Sequence, residues 1–446
     1  MKPLLIINST LIDQGGMRPG MLAIYGEKIA SPPATYDAST SDFHIVDASG
    51  LYVFPGGIDP HVHLDLPTPA GKSSDDFRSG SRAALAGGTT TLFDFVTPVR
   101  GESLTEALDK RRPEAKAAVT ECHLHMGISG WNPEIAAELV RCIRHHGIRS
   151  VKTYLAYQET IGITPVQLRE VMLTAAGEGA LVMVHAEDGG MIAEKQHQLL
   201  MAGHTRPAFH AVSSPAEAEI RAIGEVISTA ATTGFTAYIV HISTRRGAEM
   251  VGEAKRSGIA VYGETCPQYL IHDDSVYDPD RPDHEVLPFI LSPPIRTAGD
   301  REGLWEALAN RSLDVVATDH CPFHIRGQKD LGIHNFTHIP NGAGGVEHRL
   351  TLLHTFGVTT GRISMERMME LISSSPARIF GLGIRKGALL PGYDADVVLW
   401  DPDYELVITA QTHLSRCDHD IYESIRIKGK AVGVIRNGKL ISGRSF

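Results

Sequence analysis

Apolar runs alternate with amphipathic stretches through the middle of this 446-residue chain. Short apolar runs bounded by turn residues predict buried strands, and stretches with a helical period predict helices. The predicted strands are 53–58, 90–95, 122–127, 150–155, 180–186, 237–242, 260–265 and 314–319. The predicted helices are 76–86, 103–118, 134–146, 165–178, 215–233, 245–257 and 299–310. This alternation predicts an α/β fold, a TIM-like (β/α)8 barrel over residues 54–383.

The two ends of the chain follow a β pattern instead. Residues 4–53 are short apolar runs separated by turn residues such as Gly15-Gly16, with no helical period. Near the other end, Asn437-Gly438 lies between two apolar pairs, which predicts a hairpin because both turn positions need a positive φ. We therefore expect residues 1–53 and 384–446 to meet in one discontinuous β-sandwich domain.

Composition narrows the classes of partner and compartment. The chain has 42 Lys+Arg and 52 Asp+Glu, so its net charge is 42 − 52 = −10, without a basic run. This balance argues against nucleic acid or an anionic membrane as a partner. The five cysteines are odd in number and form no CxxC pair, which favours a reduced, cytoplasmic compartment. No stretch approaches the ~20 apolar residues of a membrane span or the pattern of a signal peptide.

Metal-binding residue types recur where the predicted strands end. They are His61 with His63, Lys152, His185, His241 and Asp319. Side chains two apart on a strand share a face, so the His-x-His pair can chelate one ion. Among 22 histidines a lone pair of this kind is more often a surface or core residue. Because the carboxyl ends of barrel strands open on one face, the whole set instead predicts a two-metal hydrolase site.

Lys152 is unusual because it stands between Val151 and Thr153 in an apolar strand. An ammonium ion is costly to bury, so burial lowers the pKa and favours the neutral amine. A neutral amine can add carbon dioxide and become a carbamate, which is a carboxylate able to bridge two metals. Taken alone, a lysine that extends its charged end to solvent is the commoner explanation.

Several longer motifs occur in the order seen in cyclic amidohydrolases. They are GGIDPHVHLD (56–65), KTYLAY (152–157), HAE (185–187), GETCPQYL (263–270), LSPP (291–294), TDHCPF (318–323) and IPNG (339–342). Over nearly its whole length the chain resembles the dihydropyrimidinase and D-hydantoinase family. The resemblance implies an amidohydrolase barrel flanked by a β-sandwich, with two divalent ions per subunit, usually Zn2+. It also implies a homotetramer.

The resemblance assigns a role to each matching residue. His61 and His63 would bind the more buried ion with Asp319, and His185 and His241 would bind the second. Lys152, as N6-carboxylysine, and a hydroxide would bridge the two ions. Asp319 would act as general base and then acid, and Tyr157 would donate to the developing oxyanion. Ser292 and Asn341 match positions whose backbone groups bind the cyclic amide, while Leu66, Tyr154 and residues 158–161 would border the ring substituent.

The implied reaction is hydrolysis of a ring amide bond in a cyclic ureide or imide. A 5,6-dihydropyrimidine or a 5-substituted hydantoin would give an N-carbamoyl amino acid. Allantoinase is the alternative because it uses the same metal ligands. Dihydroorotase is less favoured, since its relatives usually carry Arg after the His pair and this chain has Leu64-Asp65. A non-catalytic assembly protein built on the same scaffold is a different class, and the complete ligand set argues against it.

Overall fold

The computed structural model describes residues 2–13, 15–34, 42–157 and 159–442. Gln158, which was expected to border the ring substituent, lies outside the described residues. So do residues 1, 14, 35–41 and 443–446 of the predicted terminal domain.

A parallel sheet of eight strands occupies the middle of the chain. Around the sheet its strands are Gly57–Asp59, Thr89–Val96, Glu121–Gly127, Ser150–Tyr154, Leu181–His185, Ala237–Ile239, Val261–Thr265 and Val315–Val316. Val62 follows the first strand and forms a parallel bridge with His320, which follows the last. This bridge brings the two edges of the sheet together, and the predicted barrel is confirmed.

Helices cover the outside of the barrel between successive strands. Those that match the predictions are Phe77–Ala86, Leu104–Ala115, Pro133–His146, Pro165–Gly177, Ala216–Thr233, Arg245–Arg256 and Ala298–Ala309. Most begin after a side chain that accepts a first-turn N–H, such as Asn132 or Thr164. Helices that were not predicted are Gly189–Met201, Phe209–Ser213, Pro267–Ile271, Asp283–Val286, Arg349–Leu353, Met365–Met369 and Ser375–Ile379. Among the described residues, no helix has the length and apolarity needed to cross a membrane.

The strand predicted at 53–58 is wrong as a single element. Tyr52–Pro55 pairs antiparallel with Val397–Val407 in the terminal sheet, whereas Gly57–Asp59 pairs parallel with Thr89–Val96 in the barrel. Gly56 joins the two, and a Cβ there would lie 2.2 Å from Thr90 Oγ1. One apolar run therefore contributes a strand to each of two sheets. The sequence does not reveal this division, because the residues on both sides of Gly56 are buried.

The second sheet draws strands from both ends of the chain. Its order is Lys439–Ser442, Arg426–Arg436, Val397–Val407, Tyr52–Pro55, Leu4–Asp13, Gly16–Tyr25 and Lys28–Ala30, and His44–Asp47 pairs with Leu4–Asp13. Asn437 and Gly438 have φ values of 48° and 71°, as the hairpin prediction requires. Buried side chains of this sheet form a hydrophobic core of their own, which includes Ile6, Ile24 and Ile435. The predicted meeting of the two termini is confirmed. A short hairpin of Pro67–Thr68 and Gly71–Lys72 lies apart from both sheets.

Candidate active site and metal centre

One cavity collects every metal-binding, catalytic and substrate-binding residue that the sequence predicts. Its lining includes His61, His63, Lys152, Tyr157, His185, His241, Ser292, Asp319 and Asn341. Leu66, Tyr154 and Ile161, which were expected to border the ring substituent, line it too. Side chains far apart in sequence meet here because the carboxyl ends of the barrel strands, and the loops beyond them, open on the same face of the barrel.

The first ligand group consists of His61, His63 and Asp319. Oδ1 of Asp319 is 3.1 Å from Nε2 of His61 and 3.0 Å from Nε2 of His63. Donor atoms around one tetrahedral zinc ion lie about 3.3 Å apart, given Zn–N distances near 2.0–2.1 Å. Nζ of Lys152 lies 3.3 Å from Nε2 of His61, so it borders the same group. The spacing of these atoms fits a divalent ion.

The second group consists of His185 and His241. Their ring centroids are 4.5 Å apart, and the His241 ring lies 5.6 Å from that of His61. Nε2 of His185 is 2.8 Å from Oε2 of Glu187, which leaves Nδ1 as the free nitrogen of that ring. A second pair of imidazole donors therefore stands beside the first group.

Burial sets the protonation of these ligands. It lowers the pKa of His61 and His241 well below the ordinary value, so both rings are neutral and can donate a lone pair. It also lowers the pKa of Lys152 to about 8, despite the opposing charges of Asp319 and Glu264. Burial raises the pKa of Asp319, but its interactions with His61, His63 and Lys152 outweigh burial, so the pKa falls to about 2. Neutral imidazoles, a carboxylate and a readily neutralised amine together form a donor set that suits divalent metal.

Three of the site residues have a left-handed backbone. The φ values of Tyr157, His241 and Asp319 are 58°, 39° and 52°. This region is uncommon for residues other than glycine, and such conformations cluster where a side chain must take a required position. His241 and Asp319 stand beyond their strands rather than within them, contrary to the predicted strands 237–242 and 314–319. The turn at each strand end directs the ligand into the cavity.

Two buried carboxylates, to which the sequence alone assigns no role, hold the candidate histidine ligands. Oε1 of Glu264 is 2.7 Å from Nδ1 of His61 and accepts the backbone N–H of His241 at 3.1 Å. Glu187 holds His185 in the same way. Both carboxylates lie inside motifs quoted above, GETCPQYL and HAE. Each has a signal in the sequence: Glu264 is an acidic residue within an apolar strand, and Glu187 is an acidic residue just after His185.

Ser292 and Asn341 come from two loops that are tied together. Nδ2 of Asn341 donates to Oγ of Ser292 at 3.3 Å. Behind them, the buried Nζ of Lys329 donates to the carbonyl oxygens of Ile290 and Pro340 at 2.8 and 3.1 Å. Gly342 completes the contact, because a Cβ there would lie 2.2 Å from the carbonyl oxygen of Cys321. Lys329 thus holds the backbone of both loops, a role that no motif in the sequence indicates.

Tyr157 stands at the mouth of the cavity, 38% exposed. Its ring centroid lies 5.3 Å from that of His185. Burial of the hydroxyl and the nearby carboxylates of Glu187 and Asp319 raise the pKa of Tyr157 above its ordinary value. The hydroxyl therefore keeps its proton at neutral pH and can donate a hydrogen bond into the cavity.

Comparison with known proteins gives consistent matches. A family model described as "Amidohydrolase family" matches residues 52–441. A D-hydantoinase of Geobacillus stearothermophilus is 38% identical over 438 residues, which cover 98% of this chain and 92% of that protein. A dihydropyrimidinase of Arabidopsis thaliana is 36% identical over 398 residues, 89% of this chain and 74% of that one. The crystal structure of dihydropyrimidinase from Brevibacillus agri NCHU1002 superposes with a TM-score of 0.96 at 36% identity, covering 99% of this chain and 95% of that chain.

Proposed function

This chain belongs to the amidohydrolase family, within its D-hydantoinase and dihydropyrimidinase group, and we propose that it hydrolyses a ring amide bond in cyclic ureides or imides. The substrates would be 5,6-dihydropyrimidines or 5-substituted hydantoins, and the products N-carbamoyl amino acids. The observation that carries the proposal is the convergence of the four histidines, Lys152 and Asp319 on one cavity. A non-catalytic scaffold has no need of this arrangement.

We further propose two divalent ions per subunit, with zinc as the metal. His61, His63 and Asp319 would hold one ion, and His185 and His241 the other. Lys152, carbamylated to N6-carboxylysine, would lie between the two groups as a shared ligand. The bound ions would activate the attacking water and polarise the ring carbonyl.

Asp319 and Tyr157 would carry out the proton transfer and the charge stabilisation. The Asp319 carboxylate, ionised because its pKa is about 2, would accept a proton from the attacking water and then deliver it to the departing ring nitrogen. The Tyr157 hydroxyl would donate to the carbonyl oxygen as its negative charge grows, which favours the transition state over the bound substrate.

The ring would bind through the backbone of the two loops that carry Ser292 and Asn341. A second cavity shares Tyr157, Ser292 and Asn341 with the first and is also lined by Ile192 and Phe336. A substituent on the ring carbon beside the scissile amide has room in this adjoining space. The adjoining cavity therefore favours substrates that carry a substituent on the ring.

We also propose a cytoplasmic homotetramer. All five cysteines are unpaired, with four of them buried, which fits the reduced compartment that their number and spacing predict. The tetramer rests on the family resemblance.

The test is a substrate panel on metal-replete protein. We expect turnover of dihydrouracil, dihydrothymine, hydantoin or phenylhydantoin above that of allantoin and dihydroorotate. Elemental analysis should find at least two divalent ions per subunit, and removal of metal by a chelator should abolish activity reversibly. Preferential turnover of allantoin would select the alternative, allantoinase, and full activity in protein free of metal would overturn the mechanism.

A further inference from the structure

A second set of metal-binding side chains lies outside the active-site cavity, where segment 409–425 meets the barrel. Oδ2 of Asp420 is 3.0 Å from Nε2 of His348 and 3.1 Å from Nδ1 of His413. The three side chains are between 4% and 12% exposed. None of them is among the ligands proposed for the active site.

The hydrogen bonds of His413 show that a positive charge is needed beside Asp420. Nε2 of His413 lies 3.0 Å from the carbonyl oxygen of Cys417, which can only accept, so Nε2 carries a proton. In a neutral ring the other nitrogen, Nδ1, then presents a lone pair to the Asp420 carboxylate, and two acceptors at 3.1 Å repel each other. Asp420 cannot easily turn away, since its Oδ1 accepts the backbone N–H of Tyr422 at 2.8 Å. Either a proton or a metal ion must lie between them.

The cluster repeats the geometry of the active-site ligands. At Asp319, one carboxylate oxygen is 3.1 and 3.0 Å from two imidazole nitrogens. At Asp420 the corresponding distances are 3.0 and 3.1 Å. In each set the three donor atoms lie within 4.8 Å of one another. In each set, too, one histidine is oriented through its other ring nitrogen, His61 by Glu264 and His413 by the Cys417 carbonyl, as is usual for metal-bound histidine.

We propose that His348, His413 and Asp420 bind a third divalent ion of the zinc class. Two imidazoles and a carboxylate are common zinc ligands, and a tetrahedral site takes one more. The three residues line a small cavity together with Ser415 and Glu347, and a water molecule would supply the fourth ligand. On binding, the metal takes the position of the proton on His413 Nδ1, which is released to solvent.

The bound ion would fasten segment 409–425 to the barrel. That segment already contacts the barrel through the backbone N–H of Leu414, which donates to Glu347 at 2.6 Å, and that of Arg416, which donates to Asp75 at 3.0 Å. Asp75 also lies 3.1 Å from Nε2 of His320, the residue after Asp319. The third ion is therefore structural: it stabilises the segment that packs behind the catalytic strand end and takes no part in the reaction.

Metal counting on the full-length enzyme tests the proposal. Protein loaded with Zn2+ and freed of excess by gel filtration should hold three ions per subunit by elemental analysis. His413→Ala and Asp420→Asn should each hold two and keep hydrolytic activity. The control His145→Ala, which removes an exposed histidine from the helix Pro133–His146, should hold three. His185→Ala should lose an active-site ion and activity while it keeps the third ion.

A measurement on wild-type protein removes any dependence on how the variants fold. Crystals grown with Zn2+ should show an anomalous peak at the zinc edge between His348, His413 and Asp420. Two ions per subunit and no peak at this place would overturn the proposal and mean that His413 is an imidazolium. Empty active-site positions beside a filled third site would instead count against the proposed function, so the two failures are distinguishable.

Discussion

Nδ1 of His61 lies 2.7 Å from Oε1 of Glu264, and this contact determines which nitrogen of His61 faces the active-site cavity. Because the pKa of His61 is lowered well below its ordinary value, the ring carries one proton, and the carboxylate places that proton on Nδ1. Nε2 then presents its lone pair toward Asp319 and Lys152. Glu264 also accepts the hydroxyl of Tyr238 at 2.7 Å, so its own position is fixed.

Glu264→Gln should therefore weaken metal binding without removing a ligand. The amide can present either an oxygen or an N–H to His61, so the ring orientation and tautomer are less well fixed. Loss of an outer partner of this kind typically costs about 10–100-fold in metal affinity or activity. Competition with a chelator measures the affinity. Glu225→Gln, on an exposed position of the helix Ala216–Thr233, should leave it unchanged, and wild-type affinity in Glu264→Gln would contradict the role.

Lys152→Ala should remove most activity, since the carbamylated side chain is the proposed shared ligand of the two ions. Lys152→Arg should not restore it, because a guanidinium stays charged and cannot form a carbamate. Short carboxylic acids added to the Ala variant should restore part of the rate by occupying the position of the carbamate. Mass spectrometry of the native protein should find the added carboxyl group on Lys152. Wild-type turnover in Lys152→Ala would mean that the lysine is structural.

The convergence of the candidate metal ligands could be predicted from the sequence because the barrel brings its strand ends to one face. His185 closes an apolar strand, and His241 and Asp319 follow one, so their shared position at the cavity follows from topology alone. The same rule gave the wrong prediction at 53–58, where one apolar run forms two strands. A continuous apolar run indicates burial, but it does not indicate that Gly56 divides the run between two sheets.

The residues that hold the ligands could not be predicted in the same way. Glu264 and Lys329 act through partners that are distant in sequence, His61 for Glu264 and Ile290 for Lys329, whereas Glu187 holds His185 only two residues away. No periodicity connects the two ends of such a contact. The left-handed backbone of Asp319 was equally hidden, since its φ of 52° depends on the chain leaving the strand early.

Lys329→Met should weaken substrate binding more than it slows the chemical step. The lysine donates to the carbonyls of Ile290 and Pro340 and so sets the backbone of the loops that carry Ser292 and Asn341. A loss of about 1.4 kcal/mol in substrate binding corresponds to about a tenfold rise in KM. Lys116→Met, at an exposed position, is the matched control. A fall in kcat with KM unchanged would place the effect on the reacting groups instead.

Glu121→Gln should destabilise the junction between the barrel and the terminal sheet. Glu121 pairs with Arg385 and lies 3.0 Å from Nζ of Lys386, and both cations also pair with Asp394. Since the Glu121 side chain is only 25% exposed, we expect a cost of about 1–2 kcal/mol, between that of surface and buried ion pairs. Urea unfolding measures this cost, and Glu170→Gln, an exposed glutamate on the helix Pro165–Gly177, is the control.

The same variant should reveal a pH dependence of defined sign. Burial raises the pKa of Glu121, but His123, Arg385 and Lys386 lower it more, so the net shift is downward. A carboxylate whose pKa is lowered by folding contributes its full stability above the unfolded value, about 4.3, and loses it as the pH falls further. The difference in unfolding free energy between wild type and Glu121→Gln should therefore be constant from pH 7 to about 5 and shrink below that. A difference that grows on acidification would contradict the assignment.

Kinetics should distinguish Asp319 from Tyr157, because the proposed function gives them different roles at the reacting centre. Asp319→Asn keeps the shape of the side chain but loses the proton acceptor, so kcat should fall by several orders of magnitude while much of the metal is retained. Tyr157→Phe removes one hydrogen bond to the oxyanion, a loss near ~10²-fold in kcat for such donors. Its metal content and folding should equal those of wild type.

The pH profile then tests the assignment directly. Activity requires the Asp319 carboxylate, so kcat/KM should decline on the acid side in wild type. Tyr157→Phe should keep that decline at the same pH, because the Tyr157 hydroxyl has a raised pKa and does not titrate there. Measurement of kcat/KM across the acid range for both variants tests the two roles. If Tyr157→Phe moved or removed the acid decline while Asp319→Asn stayed active, the two roles would have to be exchanged.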